Sequence, residues 1–423
     1  MTSIRRIELF HVKIPLPAPF YPSWIPGFPQ VQNRFTLVRI LTDDGVEGIS
    51  AGPAMSVERK GLGALLGPYL LGEDPTDIDL IQQRLREIGY LGWRNWWIEP
   101  ACWDIKGKLA GKPVCELLGG APRKVNLYAS TGQVRRADER IEEAEARYEE
   151  GFRSIKLRVH DFDEADDIDQ VTRTCAAIGD KMKVGVDANQ GWRVTAIGDA
   201  PLWDLPRAKR FADACADAGV AWIEEPQAMD AYDDQVALRE YSRVPIAGGE
   251  LHTGGLPELK MMIERGCYDV FQPDAMFTGG IAQTIEVARL CREHGLLYTP
   301  HTWTNGIGFA VNLQLVAAAG FADEKALEYP YDPPGWTVEG RDGLLEQPFV
   351  HDRGTLEVPT GPGLGISLSK SAMRRHAKRF FVMDRPRLIW FSLWDRGVKV
   401  SKEIDAARRA KKEAQAGKLA PPS

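Results

Sequence analysis

Three short stretches decide how this chain is read: MKVGVDAN at 182–189, VAWIEEP at 220–226 and VPIAGGE at 244–250. Each holds an apolar run followed at once, or within three residues, by an acid: Asp187, Glu224 and Glu250. The runs at 182–186, 220–223 and 244–247 are rich in β-branched or small apolar residues, too short for helices, and bounded by polar or turn residues. This is the pattern of parallel strands buried on both faces. The intervals between them are long enough to hold a helix each. Side chains just past the C-terminal ends of barrel strands converge on one mouth, so three acids from consecutive strands can approach one point. Carboxylate oxygens favour magnesium, calcium or manganese over zinc, and magnesium, one ion per chain, is the expected cofactor. Taken singly, each acid reads equally well as a solvated loop residue or a helix N-cap. Three in succession at strand ends favour the metal site.

Working outward, 423 residues with 44% hydrophobic content suffice for a barrel plus a smaller domain. Lys and Arg total 53 against 59 Asp and Glu, a net charge of -6, which gives no electrostatic reason to expect nucleic acid as a partner. The six cysteines, at 102, 115, 175, 215, 267 and 291, form no CxxC pair, and read as small buried hydrophobes in a reducing compartment, the cytoplasm. No stretch resembles a signal peptide, and no run of about 18 apolar residues predicts a membrane span.

Runs at 35–40 and 46–51 flank Thr42-Asp43-Asp44-Gly45 and predict a β-hairpin. Residues 81–118 read as helical, closed by Gly119-Gly120 and Pro122. From Val125 onward strand-like runs at 125–129, 155–159, 270–272 and 296–299 join the three already named and alternate with helical stretches. Repeated alternation of this kind predicts a parallel α/β barrel. The expected boundaries are an α+β domain over 1–124, a barrel over 125–360, and a segment over 361–423 that packs back on the first domain or forms a tail. The basic stretch from Ala406 is expected to be a solvated helix or disordered rather than a binding arm.

The series Lys156-Leu157-Arg158, Asp187-Ala188-Asn189, Trp222-Ile223-Glu224-Glu225-Pro226, Gly248-Gly249-Glu250, Gln272-Pro273-Asp274 and Pro300-His301 resembles the enolase superfamily in its mandelate racemase branch. Ala101-Cys102-Trp103-Asp104-Ile105-Lys106-Gly107 and Leu117-Leu118-Gly119-Gly120 match the end of that family's N-terminal domain, so the resemblance covers nearly the whole chain. It implies a TIM-like (β/α)7β barrel under an α+β capping domain. It also implies magnesium on Asp187, Glu224 and Glu250, removal of a proton α to the carboxylate of a small-molecule substrate, and a homo-oligomer, dimer or octamer. The family pairs a Lys or His base with magnesium. A proton beside a carboxylate is weakly acidic, because its loss adds negative charge to an anion, so positive charge must stand where that charge develops.

His301 and Asp274 each follow a strand and should face the mouth from adjacent staves; in the family such a pair is a dyad, the carboxylate fixing the tautomer of the base. Spacing alone leaves His301 as a turn cap and Asp274 as a helix start equally open. Glu328, on the last barrel strand by the resemblance, would donate a hydrogen bond to the substrate carboxylate or lie close to it; otherwise it is a solvated strand-end acid. Strand alternation puts Lys156 and Arg158 on one face. Family racemases carry Lys at both positions, and Arg158 stays protonated at any working pH, which leaves the second base missing. Lys156 remains a base candidate provided burial and Arg158 depress its pKa.

Asn189, His252, Trp303, Tyr21 and Trp24 are candidate substrate contacts, with Asn305 beside them. His252 reads alternatively as an exposed loop side chain, and His160 is expected on the surface. The aromatic, Pro- and Gly-rich segment 20–28 suits a loop that closes over a pocket, or a subunit contact. The leading expectation is a magnesium-dependent lyase, a dehydratase of a sugar acid yielding a 2-keto-3-deoxy acid. The alternatives are a racemase, epimerase or cycloisomerase on the same scaffold, and a barrel kept as a non-enzymatic sensor or structural subunit. A phosphate cradle at Gly279-Gly280 lacks the Walker spacing and ending.

Overall fold

The computed structural model describes residues 2–53, 66–91, 94–192, 194, 195 and 197–419. Strands β1 (Ile4–Phe20), β2 (Gln30–Thr42) and β3 (Glu47–Pro53) form an antiparallel meander, and the β2–β3 hairpin turns at Gly45, whose φ of 88° suits a residue without a Cβ. Against this sheet packs α2 (Glu99–Ala110), and α1 (Ile78–Leu91) packs on α2. Helix α1 buries Ile78, Ile81, Leu85 and Ile88, one stripe at helical spacing. Helix α2 approaches β3 so closely that a Cβ on Gly48 would meet the Ala101 carbonyl oxygen at 2.0 Å.

The single helical stretch expected over 81–118 is interrupted. Pro100 starts α2 in its first turn and Gly111, at φ 66°, ends it, so local backbone chemistry breaks what hydrophobic spacing alone runs together.

The barrel follows as seven strand–helix units and a last strand. They are β4 (Lys124–Ser130), α3 (Ala137–Glu149), β5 (Ser154–Arg158), α4 (Glu164–Ile178), β6 (Lys183–Asp187), α5 (Leu205–Ala218), β7 (Trp222–Glu224) and α6 (Tyr232–Tyr241), then β8 (Ile246–Gly248), α7 (Leu256–Arg265), β9 (Val270–Phe271), α8 (Gly280–Glu293), β10 (Leu297–Tyr298), α9 (Gly306–Ala319) and β11 (Leu327–Pro330). Each strand pairs in parallel with the next from β4 to β10, and β11 returns to pair in parallel with β4. Across the remaining seam, between β10 and β11, Thr299 Oγ1 donates to the Ala326 carbonyl at 3.1 Å and Thr302 Oγ1 to that of Glu328 at 2.9 Å. The result is the modified (β/α)7β barrel.

Alternation along β5 sorts its side chains. Ile155 and Leu157 join the main apolar core, whereas Lys156 and Arg158 take the other face.

Two features tie the ends of the chain to the fold. Strand β12 (Thr355–Glu357) pairs antiparallel with β4, and β13 (Ala377–Asp384) with β1, so the segment after the barrel completes the N-terminal sheet. A helical tail, α10 (Arg385–Leu419), breaks at Gly397 and begins well before the basic stretch from Ala406, for which the sequence predicts a solvated helix or disorder. The six cysteines are buried and unbridged. Among the described residues no helix is long and apolar enough to cross a membrane.

Candidate active site

Arg158, Asp187 and Glu224 lie in register at the ends of three neighbouring strands, so adjacent staves present them side by side. Lys156 Nζ lies 2.5 Å from Glu224 Oε1, 2.8 Å from Glu328 Oε1 and 3.3 Å from Asp187 Oδ2. Arg158 pairs with Asp187, donates from Nε to the Thr131 carbonyl at 2.6 Å, and reaches Asn189 Oδ1 at 3.2 Å. Glu250, two residues past β8, accepts from Trp192 Nε1 at 2.8 Å. All these acids are buried.

On the other side of Glu328, His301 Nδ1 lies 3.0 Å from Asp274 Oδ2, and Asn312 Nδ2 donates at 2.9 Å both to Asp274 Oδ1 and to the His301 carbonyl. With Asp274 on Nδ1, the imidazole presents Nε2 to the mouth, 3.4 Å from Glu250 Oε2 and 3.9 Å from Glu328 Oε2. Burial opposes charge on His301, but Glu250, Glu328 and Asp274 outweigh it and lift its pKa to about 10. Burial pushes Glu224 up to about 7 despite Lys156. Lys156 is also buried, yet Glu224 and Glu328 hold its pKa above the ordinary lysine value. Crowding by Arg158 therefore does not depress it, because the acids around it outnumber the one neighbouring cation.

Glu225, at φ 46°, is buried beside these acids, and burial followed by Glu250 raises its pKa well above the carboxylate range. With Glu225 neutral, the mouth still gathers five carboxylates, Asp187, Glu224, Glu250, Asp274 and Glu328, against Lys156, Arg158 and His301. A buried surplus of two negative charges in a wall of hard oxygen donors fits one divalent cation. The three acids do not, however, converge on one point as the sequence reading expects. Among the described residues no three acidic, histidine or cysteine side chains form a finished cage, since Lys156 and Arg158 stand against the oxygens of Asp187 and Glu224.

Family comparisons agree with this geometry. Residues 139–372 match the enolase C-terminal domain-like family, and residues 9–119 the mandelate racemase/muconate lactonizing enzyme N-terminal domain. The chain belongs to the enolase superfamily, in its mandelate racemase branch. It is 30% identical over 360 residues to the D-galactarolactone cycloisomerase of Agrobacterium fabrum, covering 81% of this chain and 91% of that one. It is 30% identical over 361 residues to the L-talarate/galactarate dehydratase of Salmonella typhimurium, covering 82% and 83%. The crystal structure of L-talarate dehydratase from Polaromonas sp. JS666, complexed with Mg and L-glucarate, superposes with a TM-score of 0.73 at 26% identity, covering 91% of this chain and 99% of that one.

Beside the enolase-superfamily acids lies a cavity of about 240 Å3, lined by Trp24, Arg158, Asn189, Glu250, His301 and Trp303 among others. Trp24 and Trp303 face the Arg158 guanidinium at 5.2 and 5.3 Å. The 20–28 segment, joining β1 to β2, is pinned over the mouth: Ser23 Oγ lies 2.5 Å from Asn189 Oδ1, and Ser23 N donates to the Gly132 carbonyl at 2.8 Å.

Other candidates fall elsewhere. Tyr21 is half exposed and does not line the cavity, because alternation turns its neighbour Phe20 inward against Trp24, Trp303 and Trp336. His252 is buried, with Nδ1 2.8 Å from Glu258 Oε1 on α7, and is absent from the cavity wall. Asn305 caps α9, accepting from the N–H groups of Ile307 and Gly308. His160, expected on the surface, is buried instead. Glu328 accepts from Ser130 Oγ and the Thr302 N–H, both at 2.7 Å, and from Lys156. Burial opposes its charge, but Lys156 and His301 hold its carboxyl well below the usual range, so it is an acceptor here and not the hydrogen-bond donor of the sequence reading.

Sequence reasoning missed Trp192 and Asn312, and quoted Gln272 within a motif without a role. Trp192 and Gln272 hold Glu250 and Glu224; Trp192 stands three residues after the quoted Asn189, which is the one signal that could have drawn attention to it. Asn312 lies mid-helix in α9, where nothing in the sequence points toward Asp274.

Proposed function

We propose that the protein is a magnesium-dependent dehydratase of a sugar acid, an aldonate or aldarate, that yields a 2-keto-3-deoxy acid. The observation that carries this reading is the His301–Asp274 dyad facing a mouth whose opposite wall holds Arg158 beside Lys156. Asp187, Glu224 and Glu250 would hold the ion, which when bound supplies positive charge where the substrate carboxylate gains negative charge. Arg158 and Lys156 add fixed charge on the same side, and Arg158, always protonated, binds an anion and removes no proton. Asp274 keeps one His301 proton on Nδ1; positive charge held by Asp187, Glu224 and Glu250 would offset the acids that keep the imidazole protonated, so that Nε2 can take the α-proton and then give a proton to the leaving β-hydroxyl. Trp24, Trp303 and Ser23 close the pocket and exclude water.

Dehydration is favoured over racemisation because a single imidazole suffices for it, whereas racemisation needs an acceptor on each face of the carbon. The lysine that would supply the second face is tied between two carboxylates. Screening acid sugars with a keto-acid assay tests the reading, and the His301→Asn variant should lose at least about 100-fold in kcat. Solvent-deuterium exchange at Cα without loss of water, followed by proton NMR, would overturn dehydration and favour epimerisation.

The free, buried cysteines suit the cytoplasm. Exposed Trp390 and Trp394 on the tail suit a homo-oligomer, dimer or octamer, whose mass light scattering would give.

A further inference from the structure

A cavity of about 600 Å3 lies not at the acids but at the opposite, N-terminal face of the barrel. We propose that it is a second binding site, for a small polyhydroxylated carboxylate.

Four cations stand along its wall, Arg153, Lys183, Lys325 and Arg353, with two acids, Asp323 and Glu324. Both acids are already engaged: Asp323 with Arg123 at 2.5 Å and Glu324 with Arg292 at 2.6 Å. Lys183, Lys325 and Arg353 form no ion pair with any described residue, so the wall is left net positive. Burial, with Lys183 as the next cause, lowers the pKa of Lys325 against the opposing pull of Asp269, a carboxylate already paired with Arg239 at 2.8 Å. An anion would relieve that repulsion.

The inner end of the cavity sets the rest of the ligand. Tyr128 and Gln272 reach it, both buried, and the Tyr128 hydroxyl and Gln272 Oε1 have no hydrogen-bond partner among the described residues. A carbonyl oxygen accepts only, so Gln272 Oε1 asks for a donor on the ligand, which a hydroxyl supplies and a phosphate dianion does not. Trp222 adds an aromatic face, with Lys325 Nζ 5.6 Å from its ring, against which the C–H face of a sugar chain can lie. The volume is that of an ordinary small-molecule pocket. The partition between the two chambers is thin: Gln272 Nε2 donates to Glu224 Oε2 at 2.8 Å, and Lys156 Nζ lies 5.9 Å from the Tyr128 ring.

The test is binding rather than turnover, so it stands apart from the dehydratase reading. D-gluconate is titrated into the full chain by calorimetry, with sorbitol and inorganic phosphate as the uncharged and hydroxyl-poor probes. Gluconate should bind the His301→Asn variant within twofold of the parent and the Lys183→Met/Lys325→Met variant at least tenfold more weakly, and both other probes should bind at least tenfold more weakly than gluconate. Mass spectrometry after amine acylation should show Lys325 protected by gluconate. Absence of binding, loss in His301→Asn with retention in the double lysine variant, or unprotected Lys325 would overturn the site. Equal binding of phosphate would overturn the ligand class.

Discussion

At the residue scale the decisive groups are two buried imidazoles whose pKa values move in opposite directions. His301 sits among acids and is held protonated, whereas His160 is buried with Nδ1 unpartnered among the described residues, and burial lowers its pKa to about 4. The unfolded chain takes up a proton at His160 near pH 6.5, before the native state does, so its contribution is complete above that pH and is lost as pH falls through about 4. The loss reaches about 3 kcal/mol. Urea melts of wild type and His160→Gln should therefore converge as pH falls from 7 to 4, the variant showing the shallower decline. Asp274 acts through the ring it orients. Asp274→Asn places an amide against Nδ1 and frees the wrong tautomer, and kcat should fall by about 100- to 10,000-fold with KM far less affected. An unchanged kcat would remove the dyad from the proposed mechanism.

At the scale of elements, the join between capping domain and barrel depends on one carboxylate. Glu99, in the first turn of α2, accepts at both oxygens: from the N–H groups of Ile281 and Ala282 at the start of α8, from Trp103 Nε1 at 2.8 Å and from Gln82 Nε2 at 3.2 Å. Helix start and carboxylate complement each other in charge. Burial still pushes the Glu99 pKa up to about 6, so the group is costly to ionise and is retained through its donors. Glu99→Gln turns an amide N–H2 toward groups that only donate, and should lower stability by about 1–3 kcal/mol in chemical denaturation at pH 7. A neutral result would mean that the join rests on its other contacts, among them the hydrogen bond from Trp96 Nε1 to the Thr253 carbonyl at 3.0 Å.

At the scale of the whole molecule, the chain closes on itself through β13, which completes the sheet begun by β1. The tail beyond it is exposed, with Trp390 and Trp394 turned outward and Arg408 donating a hydrogen bond to the Pro68 carbonyl at 2.9 Å. Removing residues 385–423 should leave the melting temperature within about 4 °C, whereas removing 377–423 strips the ladder from β1 and should lower it by more. Differential scanning calorimetry of the two truncations separates these outcomes.

The sequence by itself determined the barrel, because buried parallel strands carry a continuous apolar signature that survives without any knowledge of their neighbours. It also determined the acids at the strand ends, since position along a stave fixes which end of the barrel a residue occupies; the pairing of His301 with Asp274 came from the family resemblance, spacing alone leaving it open. Tertiary structure alone decided how charge is shared at the mouth. Whether Lys156 is a free amine or a clamped cation depends on Glu224 and Glu328, from strands 68 and 172 residues away, and Coulomb interaction follows distance in space rather than along the chain. The same holds for Tyr21 and His252, whose spacing suited the pocket but whose neighbours turned them elsewhere, and for the lower cavity, whose cations come from four separate segments that no motif connects.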